Sequence, residues 1–175
     1  MEQIVQFNSQ AKLSEHLASP SEAALSNLSE LNCVRLSPHF TLGEFTRSAS
    51  HPEVYNIPSH EAIENLKRVC TWLEELRKRG GEMPIIINSG YRSPQLNRAI
   101  GGVATSNHLT GCAVDIRVDG LEQLIVYAAI LLDISRDWQQ EFDELLIEKN
   151  RHGAIWLHFA VRAKDNRRKV LFINA

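Results

Sequence analysis

The spacing of apolar positions changes several times along this chain, and each change marks an element. Over residues 59–79, Ile63, Leu66, Cys70, Leu73 and Leu76 recur at the three-and-four spacing of one buried helix face. Ser59 stands where an N-cap belongs, Lys78 and Arg79 suit the C-terminal end, and Gly80-Gly81 stops the helix. Residues 84–88 form a short β-rich run, read as a strand, and Ser93-Pro94 opens a short helix reaching about Ile100. Over 112–118 the period becomes two. Cys112, Val114, Ile116 and Val118 take one face, and Ala113, Asp115 and Arg117 take the other. Residues 121–133 are apolar nearly all round and are expected to form a buried helix. Strands over 144–148, 155–161 and 169–173 close the chain, the first two as a hairpin across 149–154. Helices come mostly first and hairpin strands last. That order predicts an α+β fold, with a mainly antiparallel sheet and helices packed on one side.

The first part of the chain reads differently. Residues 1–36 are rich in Ser, Ala and Asn and poor in aromatics. Ser19-Pro20-Ser21-Glu22 has the order of a helix start, and Ala23, Ala24, Leu28 and Leu31 follow it. We therefore expect a helical appendage over 1–36 and a single domain over 37–175. Within the domain, residues 37–58 read mostly as turn, anchored by Leu42, Phe45, Tyr55 and Ile57.

Composition narrows the function classes. A chain of 175 residues can bury a core without disulfide staples, and 43% hydrophobic with 23% charged residues is ordinary for a globular protein. A net charge of −2 argues against a nucleic-acid partner. The basic run Arg162, Lys164, Arg167, Arg168 and Lys169 reads as a solvated turn between two strands. Three cysteines without paired spacing argue against a disulfide framework. No window is apolar enough for a membrane span, and Met1 to Lys12 lack the pattern of a secretory signal peptide. A cytoplasmic protein or a phage-type lysis enzyme released by another route both fit. Nothing in the pattern assigns an oligomeric state.

The candidate chemistry sits in Ser106-Asn107-His108-Leu109-Thr110-Gly111-Cys112-Ala113-Val114-Asp115, with a second histidine in Ile155-Trp156-Leu157-His158-Phe159. Two imidazoles and a carboxylate with a fourth position open make a common catalytic zinc shell. Asp115 projects from the strand face opposite the aliphatic one, where a metal is accessible. Each residue also has an ordinary reading: His108 as a surface or cap residue, Asp115 as an edge charge paired with Arg117, His158 as a satisfied core histidine. There is no His-Glu-x-x-His, phosphate loop or dinucleotide fingerprint to suggest other chemistry.

Four stretches match a known pattern. They are Phe40-Thr41-Leu42-Gly43-Glu44-Phe45, Ser89-Gly90-Tyr91-Arg92-Ser93, Ser106-x-His108-x-x-Gly111-x-Ala113-x-Asp115 and Trp156-x-His158. Over residues 38–161 the chain resembles the zinc D-Ala-D-Ala carboxypeptidase family, the M15 peptidases, whose fold is shared with the Hedgehog signalling domain. The leading motif looks like that of the branch with small bacterial and phage members. The resemblance implies Zn2+ held by His108, Asp115 and His158. It implies a peptidase acting on short peptides with D-residues, such as peptidoglycan stem peptides, as a D,D-carboxypeptidase or a related endopeptidase. Arg92 would stabilise the oxyanion or hold the substrate carboxylate, Ser106 would add a hydrogen bond to substrate, and Trp156 would form part of the wall.

One departure matters. Many members place the catalytic acid three residues before the final histidine, and here that position is Ile155. A hairpin register that sets Glu148 opposite Trp156 puts its carboxylate on the face of His158, diagonal neighbours lying roughly 7–8 Å apart. Glu148 is therefore expected to be the general base. The alternative is a non-catalytic, zinc-containing binding module of the same fold, which the missing acid at position 155 favours.

Overall fold

Strands β1 (Ile87–Ser89), β2 (Ala113–Arg117), β3 (Glu144–Lys149), β4 (Ile155–Ala160) and β5 (Lys169–Asn174) form one sheet in the spatial order β1-β2-β4-β3-β5. The computed structural model describes residues 32–174. Every pairing is antiparallel except β3–β5, which is parallel. The architecture is α+β with a mostly antiparallel sheet.

The alternation in each strand sorts the two sheet faces. Val114, Ile116, Leu145, Leu157 and Phe159 lie on the core side. The two long helices, α2 (His60–Arg79) and α4 (Leu121–Trp138), pack there, with the short α3 (Pro94–Ala99) between them in the chain. Trp72 of α2 packs edge-on against Trp138 of α4 and at a tilt against Phe159 of β4, with ring centroids 5.2 Å apart in both pairs. Ser59 caps α2, its hydroxyl accepting from Ala62 N at 3.2 Å, and Gly80 N closes the far end on Leu76 O at 2.8 Å. The opposite sheet face carries Ala113, Asp115 and Arg117, then Trp156, His158 and Ala160, then Glu144, Leu146 and Glu148, as the ladder registers require.

The appendage expected over 1–36 lies outside the described residues except for 32–36. Residues 34–36 are tied to the start of the domain. Leu42 N donates to Val34 O at 2.8 Å, Arg35 bridges Thr41, and Leu36 joins the core.

Several expectations need correction. The segment 37–58 holds a short helix, α1 (Leu42–Thr46), whose Thr41–Glu44 capping box the turn reading overlooked. Leu42 and Phe45 are buried there, but Tyr55 and Ile57 are exposed and anchor nothing. The strand read over 84–88 starts later, at Ile87, where a register shift between Ile87 and Ser89 interrupts the pairing with β2. Helix α4 extends to Trp138 and is not buried all round. Leu124, Tyr127, Leu131 and Ile134 face the core, while Leu121, Ile125 and Val126 are exposed, because α2 and the sheet cover only one side. The basic run is not simply a solvated turn. Arg162 and Arg167 pair with the fully buried Asp143 at 3.0 and 2.7 Å, and Arg168 lies over the Phe142 ring.

Candidate metal centre

The site begins with two opposed strand residues. Asp115 on β2 pairs directly with His158 on β4, so both side chains leave the sheet on the same face. The third member comes from a 3₁₀ turn, Asn107–Thr110, that precedes β2. Ser106 caps this turn, its hydroxyl accepting from His108 N at 3.3 Å. Gly111 ends it with φ +72°, a left-handed conformation in which an added Cβ would also lie 2.5 Å from Ala62 O of α2. Asn65 of α2 donates to Thr110 O at 2.9 Å. The turn is thus pinned between a cap, a tight reversal and the long helix.

A second loop orients the His108 ring. His108 Nδ1 lies 2.6 Å from the Gly90 carbonyl, which can only accept, so Nδ1 carries the proton and the Nε2 lone pair is free. Arg92 N donates to His108 O at 3.0 Å. Gly90 has no room for a side chain, since a Cβ would lie 2.7 Å from Phe45. The buried Phe45 of α1 therefore sets where that carbonyl sits. Asn56 braces the same loop, donating to Thr46 O and Tyr91 O at 2.8 Å and accepting from Ser93 N at 2.6 Å.

The three candidate ligand atoms converge. His108 Nε2 lies 3.3 Å from His158 Nδ1 and 3.2 Å from Asp115 Oδ1, and His158 Nδ1 lies 2.9 Å from Asp115 Oδ1. Zinc at about 2.0–2.1 Å from each atom in tetrahedral geometry needs ligand separations of about 3.3 Å. The near-equilateral triangle fits that donor set, and all three residues are buried. Arg92 adds a further tie, Nη2 donating to Asp115 Oδ2 and Nε to Ser89 Oγ at 2.8 Å.

The electrostatics of the cluster follow from burial and close pairing. Burial opposes ionisation of Asp115, but the histidines beside it hold its carboxyl well below the usual range. Burial lowers the His108 pKa. For His158 burial also opposes charge, but contacts with Asp115 and Glu144 outweigh it and raise the pKa to about 9.

The remaining candidates take these places. Glu148 stands opposite Trp156 in the β3–β4 ladder, the register that the hairpin reading required, and shares the face of His158. Burial, with the neighbouring Asp115 carboxylate, raises its pKa above the ordinary value. The Trp156 indole Nε1 is buried and partly offsets that rise. Ser106 lines a cavity of about 430 Å³, with Asn65, Asn107, Arg162 and Lys164 among its walls, and none of the three ligand residues lines that cavity.

Sequence reasoning missed Glu144. It sits on the same face of β3 as Glu148, on the other diagonal from His158, and its Oε2 lies 3.5 Å from His158 Nε2. Period two counted back from Glu148 would have found it. Asn107 was also missed. It joins Asp143 and Glu144, donating at 2.7 and 2.9 Å, and nothing local in the sequence marks that role.

Comparison with known proteins bears on this arrangement. Residues 38–144 match the family described as Peptidase M15, a span that contains His108 and Asp115 and ends before Glu148 and His158. A zinc D-Ala-D-Ala carboxypeptidase of Streptomyces albus G is 31% identical over 78 residues, covering 45% of this chain. The match spans 31% of that relative's length.

Proposed function

The chain belongs to the Peptidase M15 family, and from that premise we propose that it is a zinc metallopeptidase. Its substrates are short peptides containing D-residues, peptidoglycan stem peptides being the leading class, cleaved as a D,D-carboxypeptidase or a related endopeptidase. The substrate class rests on the relative named as a zinc D-Ala-D-Ala carboxypeptidase. The fold reading that accompanies it is the one shared by these peptidases and the Hedgehog domain. The observation that carries the proposal is the buried triangle of His108 Nε2, Asp115 Oδ1 and His158 Nδ1, with edges of 2.9–3.3 Å.

His108, Asp115 and His158 would hold Zn2+, which would supply Lewis acidity toward the scissile carbonyl and lower the pKa of a water to near 7. Glu148 acts as general base and then acid. Its carboxylate takes a proton from the attacking water and delivers it to the leaving amine nitrogen. A pKa raised by burial suits that double role, since the group must both accept and return the proton near neutrality. Arg92 has Nε and Nη2 committed to Ser89 and Asp115, which leaves Nη1 to meet the oxyanion or the substrate carboxylate. Trp156 stands opposite Glu148 in the ladder and forms part of the wall, its indole steadying the Glu148 carboxylate.

The test is release of D-alanine from a pentapeptide ending in D-Ala-D-Ala, together with a scan for cleavage inside the peptide. Glu148→Gln should keep its zinc and lose turnover by about 10²–10⁴-fold. A zinc-loaded wild type that cleaves neither bond would sink the peptidase reading in favour of the binding module.

A further inference from the structure

Two glutamates of β3 flank His158 on the same sheet face, and the proposed chemistry uses one of them. The other, Glu144, is held firmly. Arg167 Nη2 donates to its Oε1 at 2.8 Å, and Arg167 is itself fastened to the buried Asp143 at 2.8 and 2.7 Å. The free end, Oε2, has two neighbours. Asn107 Nδ2 donates to it at 2.9 Å, and His158 Nε2 lies 3.5 Å away. That distance is long for a hydrogen bond, and Nε2 is buried with no closer acceptor among the described residues.

A neutral imidazole offers one N–H and one lone pair, and whichever nitrogen finds an acceptor leaves the other for a metal. His158 Nδ1 belongs to the ligand triangle, so Nε2 needs the acceptor. Asn107 directly precedes His108, so the carboxylate oxygen that faces one candidate ligand also ties down the turn bearing another.

We propose that Glu144 is a positioning residue of the metal centre. Its Oε2 holds Nε2–H of His158, so that Nδ1 presents its lone pair, and through Asn107 it sets His108 against His158. The inference rests on the zinc-peptidase reading of the same centre. Removing such an outer carboxylate typically weakens metal affinity about 10–100-fold.

The experiment is zinc affinity by competition with a chromophoric chelator, on wild type, Glu144→Ala and Glu144→Gln. Glu144→Ala should bind zinc about 10–100-fold more weakly. Glu144→Gln should stay within a few-fold of wild type, because an amide oxygen still accepts from Nε2–H. A role in stability alone would lower the melting temperature of Glu144→Ala and leave its zinc affinity unchanged. Wild type that binds no zinc defeats the metal centre itself. Wild type that binds tightly while Glu144→Ala binds equally well defeats only the role of Glu144. A second measurement needs no variant: ¹⁵N spectra of zinc-loaded wild type should show His158 ligating through Nδ1 with its proton on Nε2. Ligation through Nε2 would overturn the proposal even if Glu144→Ala fails to fold.

Discussion

Asp115 and His158 stand directly opposite each other on β2 and β4, and Asp115 Oδ1 lies 2.9 Å from His158 Nδ1. An opposed pair is the most rigid juxtaposition a sheet offers, because the ladder sets its spacing without help from long side chains. Two of the three candidate ligands are therefore placed by backbone register. Only His108 depends on a loop, and that loop is tied at Gly90, Arg92, Ser106 and Gly111.

Loss of either member of the opposed pair should empty the site. Elemental mass spectrometry should find about one zinc per wild-type chain and close to none in Asp115→Ala or His158→Ala, since three protein ligands are the minimum of such a shell. Full zinc content in either variant would place the metal elsewhere.

Zinc uptake should release a proton. With its pKa raised to about 9, His158 in the metal-free protein is protonated at pH 7, whereas His108, lowered by burial, is not. The metal must displace that proton from Nδ1. Lowering the pH favours the proton, so apparent affinity should fall by about tenfold or more per pH unit below pH 9. Calorimetry at pH 7 in two buffers of different ionisation heat should give between one and two protons released per zinc, one from His158 and a fraction from the water whose pKa the metal would bring near 7. A heat independent of buffer would contradict this.

Gly90→Ala should damage both fold and site. The new Cβ would lie 2.7 Å from Phe45, which is fully buried and cannot give way. Overpacking of this kind costs about 1–3 kcal/mol. The forced shift also moves the carbonyl that orients His108. Thermal melting of the metal-free protein should show the first effect and chelator competition the second.

Arg92→Lys separates bracing from substrate contact. A lysine cannot reproduce the donors that reach both Ser89 and Asp115. We expect zinc affinity to drop about tenfold, in keeping with loss of a partner to a ligating carboxylate. Unchanged zinc affinity with lost turnover would assign Arg92 to substrate alone.

Asn56→Ala should be among the most destabilising polar changes outside the site. It strips partners from the Thr46 and Tyr91 carbonyls and from Ser93 N, the last two in buried surroundings. Leaving such groups unpaired costs about 1–3 kcal/mol each. Chemical denaturation should show the loss, and a change under about 1 kcal/mol would argue that water replaces the amide.

Most of the fold is readable because it is written in short-range patterns. Helix α2 announces itself through Leu66, Cys70, Leu73 and Leu76, and β2 through the alternation that sends Asp115 away from Val114 and Ile116. The burial of helix α4 is not readable in this way, because an apolar sequence says what can be buried, not how much neighbouring surface exists to bury it. Exposed Ile125 and Val126 are the result. The Glu148–Trp156 register is legible from the hairpin, and the same period-two count reaches Glu144.

Residue types and their periods, which are local properties, determined that this chain would form an α+β domain with His108, Asp115 and His158 as its metal-binding candidates. Whether those three meet is not local. It depends on a β2–β4 ladder joining residues 43 positions apart and on a 3₁₀ turn docked through Gly90 and Phe45. The same holds for Glu144, Asn107 and Arg167, whose charges and hydrogen bonds find each other only once β3 and the β4–β5 connection have packed together. Local periodicity constrains each segment separately, whereas the nitrogen that faces a metal is chosen by contacts between segments.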